Sequence, residues 1–240
     1  DIVKTHGANV ELLNTWRTKD KTLISLWNEV RERDTLITEK LVIDGPFSED
    51  IGSNMLKSTL DDEVVLCLNY DGKFGLNNMN NYFQNANKKG EAVFWQEWKY
   101  KIGDPILFTE TKRFSLLYNN LKGRIVEIKK TENSISFTVD VEIILTELDC
   151  QKEELEFIGI VGNSTRIRFT VYAYDSSSAD EESEYMRMRA VIPFQLAYAV
   201  SIHKAQGLEY DSVKVIIPSS NSEKITHGIF YTAITRAKKK

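Results

Sequence analysis

The spacing of apolar positions changes several times along this chain. Between residues 10 and 42 it is helical: Leu12, Leu13 and Trp16 form one cluster, and Leu23, Trp27 and Val30 follow at i, i+4 and i+7 among charged neighbours. This predicts an amphipathic pair of helices. Gly45-Pro46 ends the pattern, and after a polar link Val64-Val65-Leu66-Cys67-Leu68-Asn69 reads as a strand. Its nearly unbroken apolarity suits a parallel sheet covered on both faces. Beyond Asp71-Gly72, Leu76, Met79, Tyr82 and Phe83 return to helical spacing, so strand, turn and helix follow as one βα unit.

From about Trp98 to Arg189 the chain turns to short β-rich segments: 105–108, 123–128, 136–139 and 166–171. Strands of this length at this spacing predict a small barrel. The acidic, serine-rich tract from Asp175 to Glu184 reads as a solvated loop that closes it. Then Val213 to Ile217 gives another buried strand, and Ile225, Ile229, Ala233 and Ala237 form an i, i+4 row on a closing helix. The sequence shows no internal repeat.

Composition narrows the class. Apolar residues are 42% of the 240 and charged residues 28%, which excludes a disordered or fibrous chain. No apolar run reaches the roughly 18 residues of a membrane span, and Asp1-Ile2-Val3-Lys4 does not begin a signal peptide. A cytoplasmic protein with no membrane partner is expected. Cys67 and Cys150 have no partner at metal-ligand spacing and read as reduced structural thiols. His6, His203 and His227 show no metal-ligand pattern and the acids are dispersed, so no metal site is expected and a nuclease or other metal-dependent hydrolase lacks its constellation. The net charge of −4 rules out a broad basic field, so any contact with nucleic acid must be local.

Two stretches carry candidate chemistry. From Ser201 to Glu209 the sequence places a hydroxyl, an imidazole, an ammonium, an amide, a glycine and a carboxylate between an apolar segment and a buried strand. Loops at strand ends are where α/β folds place their sites. Ser201, His203 and Lys204 can hold phosphates, Gly207 lets a ligand approach the backbone, and Glu209 can accept from a ribose hydroxyl. A polar loop with a satisfied histidine is the plain alternative. In the second stretch, Phe230 to Lys240, Thr232, Thr235 and Arg236 fall at i, i+3 and i+4 on the expected helix, with Arg236 pointing toward a site. A guanidinium there can stabilise charge on a transferring phosphoryl group. A solvated helix end whose Lys238 to Lys240 complement the dipole is again the alternative.

Together, SIHKAQGLEYDSV (201–213) resembles motif V of superfamily 1 helicases and FYTAITRAKKK (230–240) resembles their motif VI, in the family's order. VIPFQLAYAVSIHKAQG (191–207) is similar to RecD-like ATP-binding proteins whose C-terminal segment is shared with UvrD. The resemblance implies an α/β fold: a RecA-like parallel-sheet domain, the second of the motor, interrupted by a small SH3-like barrel. Residues 1–95 and 191–240 would form the two parts of the RecA-like domain and 96–190 the insert. Within the insert, Ile102 to Leu107 and Tyr118 to Val126 resemble signatures of that barrel, with Asn120 where the first glycine would stand.

The same resemblance implies the function: a C-terminal fragment of an ATP-dependent DNA or RNA helicase. Arg236 would be the catalytic arginine finger, and Gly207, Glu209 and Arg236 would complete the nucleotide site. Ser201, His203 and Lys204 would lie along single-stranded nucleic acid, DNA rather than RNA. Gln206, between the two groups, receives no role. No G-x-x-x-x-G-K-[ST] and no Walker B acids occur in the sequence. The resemblance assigns both to an N-terminal RecA-like domain preceding Asp1, which would be this chain's partner. ATP and Mg²⁺ would be bound by the full-length protein, with none held firmly, and no hydrolysis performed, by this fragment alone. The alternative is a non-enzymatic module that binds nucleic acid or protein with a degenerate helicase fold.

Overall fold

The computed structural model describes residues 15–32, 56–57, 61–109, 112–174, 182–218 and 225–240. It divides into two compact units, one of residues 1–66 with 205–240, the other of residues 67–204.

In the first unit, α1 spans Lys21–Glu32. Asp20 starts it, its carboxylate accepting from the backbone N–H groups of Thr22 and Leu23. Trp27 and Val30 are its buried face, as the spacing predicted. Trp16 differs: it precedes the helix as irregular backbone and is 94% exposed. Its expected cluster mates Leu12 and Leu13, and the Gly45-Pro46 break, lie outside the described residues. Strand β1 (Glu63–Cys67) is buried along Val64, Val65, Leu66 and Cys67, as an inner strand of a parallel sheet must be. Beside it runs β11 (Ser212–Ile216). Their contact carries a nearly buried ion pair, Lys214 Nζ to Glu63 at 2.7 Å, and Glu63 also accepts from the Ser212 hydroxyl at 2.8 Å.

The closing helix α5 is shorter than its apolar row suggested. It covers His227–Ile234, with Thr226 as N-cap accepting from Ile229. Ile225 precedes it and Ala237 follows it. The carbonyl of Thr232, which the backbone N–H of Arg236 would reach in a further turn, accepts instead from the Thr235 hydroxyl at 3.1 Å and from Arg236 Nε at 2.9 Å, while that N–H donates to Ala233. Residues 236–240 then pair with 210–213: Tyr210 donates to Arg236, Lys238 to Tyr210, and Val213 to Lys240. The expected helical stripe of Thr232, Thr235 and Arg236 therefore ends before Arg236.

In the second unit, α2 (Leu76–Ala86) follows a turn through Gly72 and Gly75. A Cβ on Gly75 would stand 2.4 Å from the Asp71 carbonyl oxygen, so only glycine fits. Leu76 and Met79 are buried as the spacing predicted, but Tyr82 is 49% exposed and Asn80 and Gln84 take the buried positions. The Asn80 amide exchanges two hydrogen bonds of 2.9 Å with the backbone of Ala199, in β10 (Ala199–Ser201), and so behaves as a piece of strand.

Strands β2 (Val93–Trp95) and β3 (Trp98–Tyr100) form a hairpin. An antiparallel six-stranded sheet follows, in the order β7-β8-β6-β5-β4-β9: β4 is Pro105–Phe108, β5 Lys122–Lys130, β6 Ser134–Val141, β7 Glu156–Val161, β8 Ser164–Tyr172 and β9 Phe194–Leu196. This is the β-rich region the sequence predicted. Among the described residues its edges, β7 and β9, do not pair, so the sheet is open rather than a closed barrel. Asn120 adopts φ 68° in the turn before β5, a left-handed conformation that asparagine tolerates and glycine would otherwise supply. Gly123 lets β5 approach its neighbours, since a Cβ there would stand 3.0 Å from the Asp140 carbonyl oxygen. Helix α3 (Glu147–Gln151) begins with a capping box of Thr146 and Asp149, and α4 (Glu182–Ala190) packs on β8. The end of the tract read as a solvated loop, Glu182 to Glu184, is thus the first turn of a helix; residues 175–181 lie outside the described residues.

Candidate functional site

The division between the units falls between Lys204 and Ala205 and so separates the sequence-predicted residues into two groups. Ser201, His203 and Lys204 belong to the second unit. Ser201 ends β10, is 7% exposed, and uses its hydroxyl to accept from the backbone N–H of Lys204. His203 is exposed. The Lys204 ammonium donates to the Gln195 amide oxygen at 2.6 Å, a neutral partner that leaves its charge uncompensated by that bond.

Gly207, Glu209 and Arg236 belong to the first unit. Gly207 turns with φ 88°, and no described residue stands within 4 Å of where a side chain would begin, which leaves the backbone open to approach on that side. Arg236 is half-buried. Its Nε donates to the Thr232 carbonyl at 2.9 Å, and its terminal nitrogens reach the Thr235 hydroxyl at 3.2 Å and the Leu208 carbonyl at 3.4 Å. These bonds hold the guanidinium across the two motifs. Burial lowers its affinity for a proton and the positive charge of Arg17 lowers it further, while the carboxylate of Glu209 opposes both.

Arg17 is the residue that sequence reasoning missed. Its Nε donates to Glu209 at 2.8 Å and its Nη1 to the Thr235 carbonyl at 2.7 Å, so one side chain ties the loop after Ala205 to the end of α5. Only its place within Trp16-Arg17-Thr18, just before a helix, marked it. A cleft of about 580 Å³ opens beside it, lined by Trp16, Arg17, Trp27, Arg31, Tyr231 and Arg236 among others. The Trp27 indole N–H, buried in that lining, finds no acceptor among the described residues. Three guanidiniums and exposed aromatic surface make this cleft suited to a polyanion bearing an aromatic ring. Among the described residues no carboxylate lines it, and those residues do not fit a magnesium ion.

A family model for the UvrD-like helicase C-terminal domain matches residues 196–240, which hold both candidate stretches. The RecD subunit of the RecBCD enzyme of Mycolicibacterium smegmatis is 28% identical over 183 residues, 75% of this chain and 24% of that protein. RecD of Mycobacterium tuberculosis strain H37Rv is 46% identical over 43 residues, 18% of this chain and 8% of that protein. The chain therefore spans about a quarter of the first of these relatives or less. Among solved structures, the Pif1 helicase from Bacteroides in complex with ADP-AlF3 and ssDNA matches with a TM-score of 0.53 at 15% identity, covering 95% of this chain and 49% of that one. Bacteroides Pif1 bound to ssDNA matches at 0.50 and 16%, with the same coverage. At such identities the likeness is one of fold alone, an α/β RecA-like fold. Among the described residues no helix is long and apolar enough to cross a membrane.

Proposed function

We propose that this chain is the C-terminal part of an ATP-dependent helicase or translocase acting on single-stranded nucleic acid, DNA in preference to RNA. The observation that carries the reading is the cleft of Arg17, Arg31 and Arg236 formed beside the helicase C-terminal motifs. The positive charges of Arg17 and Arg236 act against each other, with the Glu209 carboxylate offsetting part of that repulsion, and a bound triphosphate would relieve more of it. In this reading Arg236 is the arginine finger, Arg17 adds a second positive charge, and Trp16 offers a face to the base. Gly207 and Glu209 complete the nucleotide site. Ser201, His203 and Lys204 contact the backbone of the strand and couple its grip to the nucleotide.

The nucleotide's other face, and the carboxylates for Mg²⁺, come from an N-terminal RecA-like domain. The chain alone is therefore inactive as an ATPase. Residues 1–95 and 191–240 act as the second RecA-like domain and 96–190 as an SH3-like insert, and the protein works in the cytoplasm. The relatives support this reading through what they are: RecD is a subunit of the RecBCD enzyme, and Pif1 is a helicase solved with ADP-AlF3 and ssDNA.

The test is Arg236→Ala in the full-length protein. Loss of an arginine finger costs roughly 10³ to 10⁵ in kcat, with a much smaller change in nucleotide affinity. Arg236→Lys is expected not to rescue, since an ammonium lacks the planar fork. Strand-stimulated hydrolysis at the unmodified rate in Arg236→Ala would overturn the reading in favour of a non-enzymatic binding module.

A further inference from the structure

The hairpin of β2 and β3 sets large aromatic rings in water. Phe94 is 58% exposed and Trp98 63% exposed, while their neighbours Trp95 and Tyr100 are buried in the core of the unit. The register pairs Trp95 with Trp98 and Phe94 with Lys99 across the two strands. Alternation therefore puts Trp98 on the face of the buried rings, directly across from Trp95 beside the turn, and Phe94 on the opposite face beside Lys99. The turn between them passes through Gln96 at φ 52°, a left-handed conformation unfavourable for a residue other than glycine.

Lysines outnumber acids around these rings. From Lys88 to Lys101 the sequence has four lysines, Lys88, Lys89, Lys99 and Lys101, against two glutamates, Glu91 and Glu97, in a chain whose net charge is −4. Lys130 joins them from β5, its ammonium 6.0 Å from the centre of the Trp95 ring. Lys99 donates to the Asn85 amide oxygen at 2.8 Å, Lys101 to the Asn87 carbonyl at 2.8 Å, and Lys130 to the Phe94 carbonyl at 2.7 Å. All three acceptors are neutral, so these bonds hold the lysines in place without cancelling their charge. Exposed rings among fixed positive charges are what an unpaired strand requires, with bases stacking on the rings and phosphates meeting the ammoniums.

We propose that the β2–β3 hairpin is a stacking platform for single-stranded nucleic acid, with Phe94 and Trp98 receiving bases and Lys99 and Lys130 receiving phosphates. The choice of ligand class rests on the proposed function; the hairpin's proposed contact residues are different from the side chains given a role there. A protein partner is disfavoured because burying the lysines without carboxylate partners would carry a desolvation cost.

The chain is titrated against a fluorescein-labelled oligothymidylate, with binding read by anisotropy at several salt concentrations. Trp98→Ala and Phe94→Ala are each expected to weaken binding about fivefold or more, whereas Trp98→Phe, which keeps a ring, stays close to the unmodified chain. Lys99→Gln combined with Lys130→Gln is expected to lower the dependence of log K on log salt by about 1 to 1.5 units. Ser201→Ala and His203→Ala are measured alongside. If they alone weaken binding, the hairpin proposal falls and the proposed function stands; if only the hairpin variants do, the hairpin proposal stands and that part of the proposed function falls. No binding by the unmodified chain, an equal loss in Trp98→Phe and Trp98→Ala, or binding of poly-glutamate with the same dependence on Trp98 would each overturn the proposal.

Discussion

In the unit from Cys67 to Lys204, Phe137 and Phe194 meet edge to face with ring centres 5.0 Å apart, Tyr100 lies 5.2 Å from Phe137, and Phe169 closes the group at 6.0 Å from Phe137. In the other unit the closing helix buries only Ala233, with Ala237 just beyond it, and much of the order around them comes from hydrogen bonds that converge on Arg17 and Arg236. The first region is held by contacts that need nothing further. The second keeps its charged groups partly exposed at a cleft, where a ligand of opposite charge can still improve the arrangement. Stability and site chemistry are thus assigned to different parts of one chain, which makes the contrast open to experiment.

The largest effect on stability belongs in the aromatic core. Phe169→Ala is expected to cost about 3 to 5 kcal/mol, read as a shift in the denaturation midpoint, because the surrounding rings cannot collapse into the space it leaves. A shift no greater than that of a surface substitution would contradict the division of roles. Next comes Asn80→Ala, which leaves the Ala199 backbone N–H and carbonyl buried without their present partners and should cost about 1 to 3 kcal/mol by the same measurement.

Arg17→Ala is the opposite case. Its bond to Glu209 is partly exposed, so unfolding should shift by about 1 kcal/mol or less. Nucleotide affinity in the full-length protein should fall clearly, and a variant that lost stability but not affinity would reverse the assignment. The last effect is absent near neutral pH and confined to alkaline pH. Burial pushes the Cys67 thiol from 9.0 up to about 12. The unfolded chain therefore loses this proton first, so stability is undiminished below pH 9.0 and falls as pH rises towards about 12. Below that window Cys67 should resist iodoacetamide until the chain is denatured; labelling of the native chain at neutral pH would show that the thiol is accessible.

Periodicity made the apolar half of this structure legible. Val64 to Cys67, Leu76, Met79, Trp27 and Ala233 are all buried where the pattern placed them. It misplaced what is buried for polar reasons. Asn80 and Gln84 outcompete Tyr82 for the inner face of α2 because their amides satisfy backbone groups and a carboxylate there, which a hydrophobic pattern does not register. The end of α5 was hidden for a related reason: the side-chain donors on the Thr232 carbonyl and the pairing of 236–240 with 210–213 decide it, not the apolar row. At the cleft, Glu209 and Arg236 stood out through motif resemblance, but Arg17 comes from far along the chain, and only the fold brings it to them.

Asp104, within the Gly103-Asp104-Pro105 signature, is wholly buried, and its carboxylate accepts from Gln84 at 2.6 Å, Asn87 at 3.0 Å, the Lys101 backbone at 2.8 Å and the Tyr198 hydroxyl at 2.8 Å. Three of these donors precede it by at most 20 residues, but Tyr198 follows it by 94. On a ribosome adding roughly 5 to 20 residues per second, the carboxylate would wait about 5 to 20 seconds for its last donor. For that interval the nascent chain has to keep this acid hydrated, so the sheet between Asp104 and Tyr198 cannot seal over it until nearly the whole unit has been made.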